Sequence, residues 1–178
     1  MIESTQTALV YAGAFCAMGL AALGSAYGCG VAGASAIGAW KKCYIQGKDA
    51  PFQLAILTGV PMSQTIYGLI LMLMISGKMD AGASGGTYWA TCLFIGIVGG
   101  LAIGLSAAYQ GRAAAGACDA LVESGQGFVN YLIALGVIET IAIFVMVFAI
   151  LLLGKMNVPG ATEVPAATMN VVSAIMAA

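Results

Sequence analysis

The feature that most constrains the fold is a set of four long apolar stretches, at about residues 7–39, 51–76, 88–111 and 128–153. Each can cross the hydrocarbon core of a bilayer, which takes roughly 20 helical residues. Only 7% of the 178 residues are charged, whereas a soluble domain carries about 25%. Lipid offers no hydrogen-bond partner to open backbone groups, so these stretches must be helical. We therefore predict an all-α, multi-pass integral membrane protein that contacts the lipid bilayer.

An internal repeat relates the first two stretches to the last two. The segment GLAALGSAYGCGVAGASA, which starts at Gly19, aligns with GLAIGLSAAYQGRAAAGA, which starts at Gly100, and half of the positions are identical. A shorter match relates GVPMSQTIYG at Gly59 to GVIETIAIFV at Gly136. Chance similarity between Gly/Ala-rich helices is the alternative, but the match continues across both kinds of helix.

The repeat predicts two tandem helical hairpins in the same orientation, 7–76 and 88–154, the second carrying the ion site described below. A tail, 155–178, has no assigned role. The first stretch of each hairpin is rich in Gly, Ala and Ser, and the second is rich in bulky apolar residues. Small residues let helix backbones approach closely in a membrane. Thin inner helices and bulky outer ones suit a narrow ring of hairpins, although a compact bundle can also use small residues.

The composition excludes several classes of function. A net charge of −1 gives no electrostatic basis for binding nucleic acid. There is no histidine, and the five cysteines lack metal-ligand spacing, so they are interpreted as small packing residues. No GxxxxGK[ST] loop is present to hold nucleotide phosphates. The chain is therefore predicted to bind no nucleotide and to be no enzyme by itself.

The basic residues predict the orientation in the membrane. Lys41, Lys42 and Lys48 lie between the first two stretches, and Arg112 lies late in the third. Because cytoplasmic connections carry an excess of Lys and Arg, we expect both termini on the non-cytoplasmic side. Glu3 stands where a signal peptide would have a basic residue, so the first stretch is expected to remain in the mature protein.

One carboxylate, Glu139, is the candidate functional group because it is the acidic residue of the fourth apolar stretch. Acidic groups at such depth are costly and usually functional, although a carboxylate that only holds a neighbouring helix is an alternative. At 1.5 Å per helical residue, Glu139 lies about 16 Å beyond Phe128 and Gln64 about 20 Å beyond Pro51, while Gln110 lies about 20 Å before Glu123. We expect the acid and the two amides at nearly one level.

Further oxygen atoms accompany these three side chains. Ser63 and Thr140 add hydroxyls, and Tyr67 follows Ser63 by one helical turn. Pro61 removes a helical hydrogen bond, which should free a carbonyl near Leu57 and loosen the backbone around Val60. Oxygen ligands of mixed charge suit Na⁺, whereas a proton carrier needs only the carboxyl in dry surroundings. The glutamines could also serve only as hydrogen bonds between helices.

The chain resembles the membrane rotor subunit of V-type and archaeal-type rotary ATPases. Four segments carry the resemblance: the Gly/Ala-rich first stretch, PMSQTIYG, AAYQGRAAAG and GVIETIAIF. In that family the rotor subunit is a duplicated proteolipid, called c or K, and the resemblance covers about residues 8–154. It implies a non-catalytic member of a homo-oligomeric ring that turns against an a/I-type stator subunit and contacts a central stalk. It also implies that Glu139 carries an ion across the membrane, coupled to ATP hydrolysis or synthesis elsewhere in the complex.

The sodium-type members of that family resemble the chain most. Their Na⁺ ligands match Glu139, Gln64, Gln110, Ser63 and the carbonyl of Val60, and their tyrosine matches Tyr67. We therefore expect Na⁺ as the carried ion; H⁺, carried by protonated Glu139, is the alternative.

The chain departs from the family pattern at two positions. Ser63 stands where threonine is common, which keeps the hydroxyl. Met62 aligns with Glu139 in the repeat, so each chain is expected to carry one ion. A self-contained carrier or channel is a second alternative, but transporters usually have more spans and several broken helices. A tetraspan scaffold would leave Glu139 unexplained.

Overall fold

The computed structural model describes residues 2–80 and 85–156, and in these ranges the chain is helical with no strand. The helices are α1 (Ile2–Ile45), α2 (Gln53–Gly59), α3 (Ser63–Asp80), α4 (Gly85–Ser124) and α5 (Phe128–Gly154). A 3-10 turn, Val60–Met62, joins α2 to α3. Within the described ranges, four helical segments are long and apolar enough to cross a membrane. The predicted all-α membrane fold is confirmed, while residues 157–178 of the predicted tail lie outside the described residues.

The helices extend beyond the apolar stretches. α1 continues to Ile45 and α4 to Ser124, so the segments 40–50 and 112–127, which lie between the predicted apolar stretches, are helical over their first parts. A bilayer limits the length of the apolar stretch but does not end the helix. Residues such as Ala, Leu, Lys and Glu favour a helix in water as well.

An ion-pair cluster ties these extended ends together. The Nζ atom of Lys42 on α1 lies 3.6 Å from Asp119 and 3.7 Å from Glu123 on α4. All three side chains are at least half-exposed, and exposed ion pairs contribute little stability individually. The cluster therefore aligns two helix ends that other packing already holds together.

Helices α1 and α4 pack side by side along their glycines. A Cβ atom added to Gly24 would meet the backbone of Gly104, and one added to Gly111 would meet that of Gly28. Further along, Ser35 Oγ donates to the carbonyl of Ala115, 80 positions later in the chain, at 2.8 Å. The contacts advance together along both helices, so α1 and α4 run in the same direction. This confirms that the two hairpins share one orientation.

The register between α1 and α4 matches the sequence repeat. The partners in these contacts are separated by 80 to 83 positions, and the repeat itself places Gly100 at 81 positions after Gly19. Repeat-equivalent residues therefore lie at nearly the same height. The two hairpins are related by rotation about an axis along the helices, with little translation along it.

This glycine contact predicts a sharp difference between two alanine substitutions on α4. Gly111→Ala should lower the free energy of unfolding by about 2 kcal/mol, because its methyl group has no room beside Gly28. Gly116→Ala should be neutral or slightly stabilising, because nothing lies within 4 Å of the added atom. Thermal unfolding in detergent, followed by helical circular dichroism, measures both. Equal melting temperatures for the two variants would contradict this packing.

The outer helices pack antiparallel to the inner ones. A Cβ atom added to Gly68 on α3 would lie 2.6 Å from the Cβ atom of Ala21 and 2.8 Å from the carbonyl oxygen of Ala17 on α1. On the other side, α5 packs on α4, where Ser106 Oγ donates to the carbonyl of Ile138 at 2.9 Å. The buried apolar residues form two clusters, one around Leu71, Ile75 and Met146 and the other around Leu54, Leu57 and Leu135.

Candidate ion-binding site

Glu139 on α5 lies between these two apolar clusters and is half-buried. Its Oε1 atom accepts a hydrogen bond of 2.7 Å from the hydroxyl of Tyr67 on α3. Its Oε2 atom lies 3.4 Å from Nε2 of Gln110 on α4. Three helices therefore converge on one carboxylate.

The two glutamines are fully buried beside it. Gln64 and Gln110 each have 0% of their surface exposed. Gln64 Nε2 donates to Gln110 Oε1 at 2.7 Å, and Gln110 Nε2 donates to the carbonyl of Leu135 at 2.9 Å. A carbonyl only accepts, so Leu135 holds the amide nitrogen of Gln110 toward α5 and turns its oxygen toward Gln64. Their hydrogen bonds offset the cost of burying two amides.

The carbonyl of Val60 belongs to the 3-10 turn. It accepts both the backbone N–H of Ser63 and the Ser63 hydroxyl, the latter at 3.1 Å. The same hydroxyl lies 3.2 Å from Gln64 Oε1. At the point where Pro61 is predicted to loosen the backbone, the α-helix is interrupted by this 3-10 turn. The turn brings a carbonyl, a hydroxyl and an amide oxygen close together.

Six of the seven predicted site residues form one continuous chain of hydrogen-bonding contacts across α3, α4 and α5. The chain runs in this order: Val60, Ser63, Gln64, Gln110, Glu139, Tyr67. Thr140 is not joined to it. Its side chain is exposed, and its hydroxyl donates to the carbonyl of Val137 on its own helix at 2.7 Å.

Ser106 is a neighbour of the site that sequence reasoning missed. It is 6% exposed, and its hydroxyl bonds the carbonyl of the residue directly before Glu139. The sequence does contain an indication of this role, because Ser106 precedes Gln110 by four positions and therefore lies on the same face of α4. The helix spacing could have identified it once Gln110 was chosen.

The donor set restricts the chemistry to small hard cations of low charge. It offers one carboxylate together with neutral amide, hydroxyl and carbonyl oxygens. Over the described part of the chain, no group of three or more His, Cys, Asp or Glu side chains could hold a metal ion, and all five cysteines are free thiols. Divalent and transition-metal sites usually use several anionic, imidazole or thiolate ligands. One negative charge balances one monovalent cation or one proton.

Comparison with known proteins finds similarity to membrane subunits of ATP synthases. Residues 93–152, which hold most of α4 and α5 with Gln110 and Glu139, match the family described as the C subunit of ATP synthase. The A-type ATP synthase subunit K of Methanocaldococcus jannaschii is 34% identical over 142 residues. That alignment covers 79% of this chain and 60% of the relative, so the chain spans about three fifths of its length. The chain is therefore similar to the C subunit of ATP synthase over residues 93–152 and to an archaeal K subunit over most of its own length.

Proposed function

We propose that this chain is the rotor subunit of an A/V-type rotary ATPase and carries Na⁺ across the membrane at Glu139. The observation that carries the proposal is the buried contact from Gln64 through Gln110 to Glu139. The chain itself is non-catalytic. ATP hydrolysis or synthesis takes place in other subunits, and ion movement through this one is coupled to it.

The ligands of Na⁺ are Glu139, Gln64, Gln110, Ser63 and the carbonyl of Val60, with Tyr67 as a donor to the carboxylate. A proton carrier would need the carboxyl alone, whereas Na⁺ needs several oxygen ligands, which two amides beside the carboxylate can supply. The two fully buried glutamines therefore favour Na⁺ over H⁺. In the H⁺ alternative, protonation of the carboxyl alone would neutralise Glu139, and the glutamines would serve as interhelical hydrogen bonds.

The partners follow from the shape of the chain. Rotation with little translation relates its two hairpins, 7–76 and 88–154, and repeating a rotation of this kind closes a ring, whereas added translation would give a filament. An apolar groove between α4 and α5, lined by Phe94, Val98 and Phe148 among others, receives the first hairpin of the next copy. The ring turns against an a/I-type stator subunit and joins a central stalk. By the charge rule for loops, both termini lie on the non-cytoplasmic side.

Neutralisation of Glu139 is the physical basis of transport. With Na⁺ bound, the site carries no net charge and can pass through apolar surroundings at tolerable cost. A cationic group on the stator then competes for the carboxylate and releases the ion. The membrane potential supplies about 2.3 kcal/mol per charge per 100 mV, so several ions per turn can drive the chemistry or be driven by it.

Carbodiimide labelling tests the ion directly, because a carbodiimide reacts with a protonated carboxyl and bound Na⁺ excludes that proton. We expect NaCl to slow the labelling of Glu139 in the detergent-solubilised ring, while KCl at equal ionic strength does not. Protection should weaken as the pH is lowered, since protons compete with Na⁺ for one carboxylate. Labelling that depends on pH alone would assign H⁺ and leave the glutamines as interhelical contacts.

A further inference from the structure

We propose that Ser106 is a positioning residue of the ion site, which sets the height and rotation of Glu139 by holding the carbonyl of Ile138. The proposal rests on the proposed function of Glu139 as the ion carrier. The Ser106 hydroxyl donates to the backbone of α5 and acts on the carboxylate only through it.

The contact lies directly beside the carboxylate in the chain. Ser106 is 6% exposed, and its Oγ atom donates to the Ile138 carbonyl at 2.9 Å. A helical carbonyl has two lone pairs, and the helix uses one of them, so the hydroxyl binds without breaking α5. The bond therefore fixes α4 to α5 at the residue that precedes Glu139.

A second hydrogen bond, one helical turn away, also joins α4 to α5. Gln110 donates to the Leu135 carbonyl at 2.9 Å. Ser106 and Gln110 lie four positions apart on α4, and Ile138 and Leu135 lie three positions apart on α5. Two bonds between the same helices resist both sliding and rotation, whereas one alone acts as a pivot. Gln110 also serves as an ion ligand, so Ser106 is the member of the pair whose role is positional.

The geometry at Glu139 is sensitive to such a pivot. Gln110 Nε2 is 3.4 Å from Glu139 Oε2, a separation at which a small additional displacement ends the hydrogen bond. Loss of the Ser106 bond would let α5 turn about the Leu135 contact. The carboxylate would then move relative to the amide oxygens with which it shares the ion.

The first hairpin supplies an internal comparison. Ser25 occupies the repeat position equivalent to Ser106 and is 4% exposed. Its hydroxyl has no hydrogen-bond partner in the part of the chain that the structure describes. That hairpin carries Met62 where the second carries Glu139. The buried serine forms its interhelical bond only in the hairpin with the carboxylate, which a general packing role would not require.

Ser106→Ala, Ser106→Cys and Ser25→Ala, each in the intact detergent-solubilised ring, test the proposal. The readout is the NaCl concentration that halves the rate of carbodiimide labelling. We expect Ser106→Ala to raise it about fivefold, as befits the loss of one interhelical hydrogen bond in a membrane. Ser106→Cys, which fills the space with a weak donor, should shift it in the same direction. Ser25→Ala should leave it within about twofold of the wild type.

Hydrogen–deuterium exchange separates this proposal from the choice of ion. Exchange of the α5 amides at 138–142 should be at least about threefold faster in Ser106→Ala than in the wild type, and unchanged in Ser25→Ala. If wild-type labelling shows no Na⁺ protection, the Na⁺ proposal fails, and the exchange rates alone decide the role of Ser106. Unchanged exchange, or an equal effect of Ser25→Ala on either readout, would overturn the positioning role.

Discussion

Glu139→Gln is expected to abolish carbodiimide labelling and to reduce Na⁺ affinity about a thousandfold. Two unit charges in contact attract by about 4 kcal/mol at an effective dielectric constant of 20, and each 1.4 kcal/mol is a factor of ten. Glutamine keeps an oxygen that can accept the Tyr67 hydrogen bond, so the helices should remain in place. In the assembled complex, ion transport should stop and ATP hydrolysis should lose its coupling to it.

The matched control is Glu123→Gln, which makes the same change at an exposed carboxylate near the end of α4. This variant should keep labelling and transport, because Glu123 contacts only Lys42 among the charged groups that the structure describes. Full transport by Glu139→Gln would show that the carboxylate is structural. Labelling that persists in Glu139→Gln would place the reactive carboxyl elsewhere.

Gln110→Leu is expected to raise the NaCl concentration needed for half-protection about a hundredfold. The change removes one amide oxygen from the ion and leaves Gln64 Nε2 and the Leu135 carbonyl without their partner. Labelling in the absence of Na⁺ should persist, because the carboxylate itself remains. The measurement is the same carbodiimide titration, carried out on the purified ring.

Gln53→Leu provides the control for this prediction, since it makes the same replacement at an exposed position at the start of α2. Its half-protection concentration should equal that of the wild type. An unchanged value for Gln110→Leu would assign the glutamine to helix packing and favour the H⁺ alternative. Circular dichroism of both variants distinguishes a lost ligand from a lost fold.

The duplication of the hairpin affects how many ions each chain can carry. Met62 is 61% exposed at the position equivalent to Glu139, so the first hairpin presents an apolar side chain where the second presents a carboxylate. Under the proposed function, each chain would move one charge past the stator for every two hairpins. For a given membrane potential, a ring of such chains would deliver less work per turn than a ring with a carboxylate in every hairpin.

The sequence by itself determined the four spans, the orientation of the hairpins and the level of the site. In lipid, the backbone of each apolar stretch must be helical. Because a helix rises by a fixed distance per residue, the number of residues from the end of a stretch gives the depth of a side chain in the membrane. That is why Gln64, Gln110 and Glu139, chosen from three separate stretches, meet within hydrogen-bond reach.

Only the tertiary structure decided how each helix is rotated and where it ends. Thr140, next to Glu139 in the chain, points outward, while Ser106 on another helix holds the backbone beside the carboxylate. The rotation depends on which glycines allow close contact, as between Gly24 and Gly104, and no residue count contains that information. The helices end well past the apolar stretches because the bilayer selects for hydrophobicity, whereas helix length also depends on backbone propensity and on contacts with neighbouring helices.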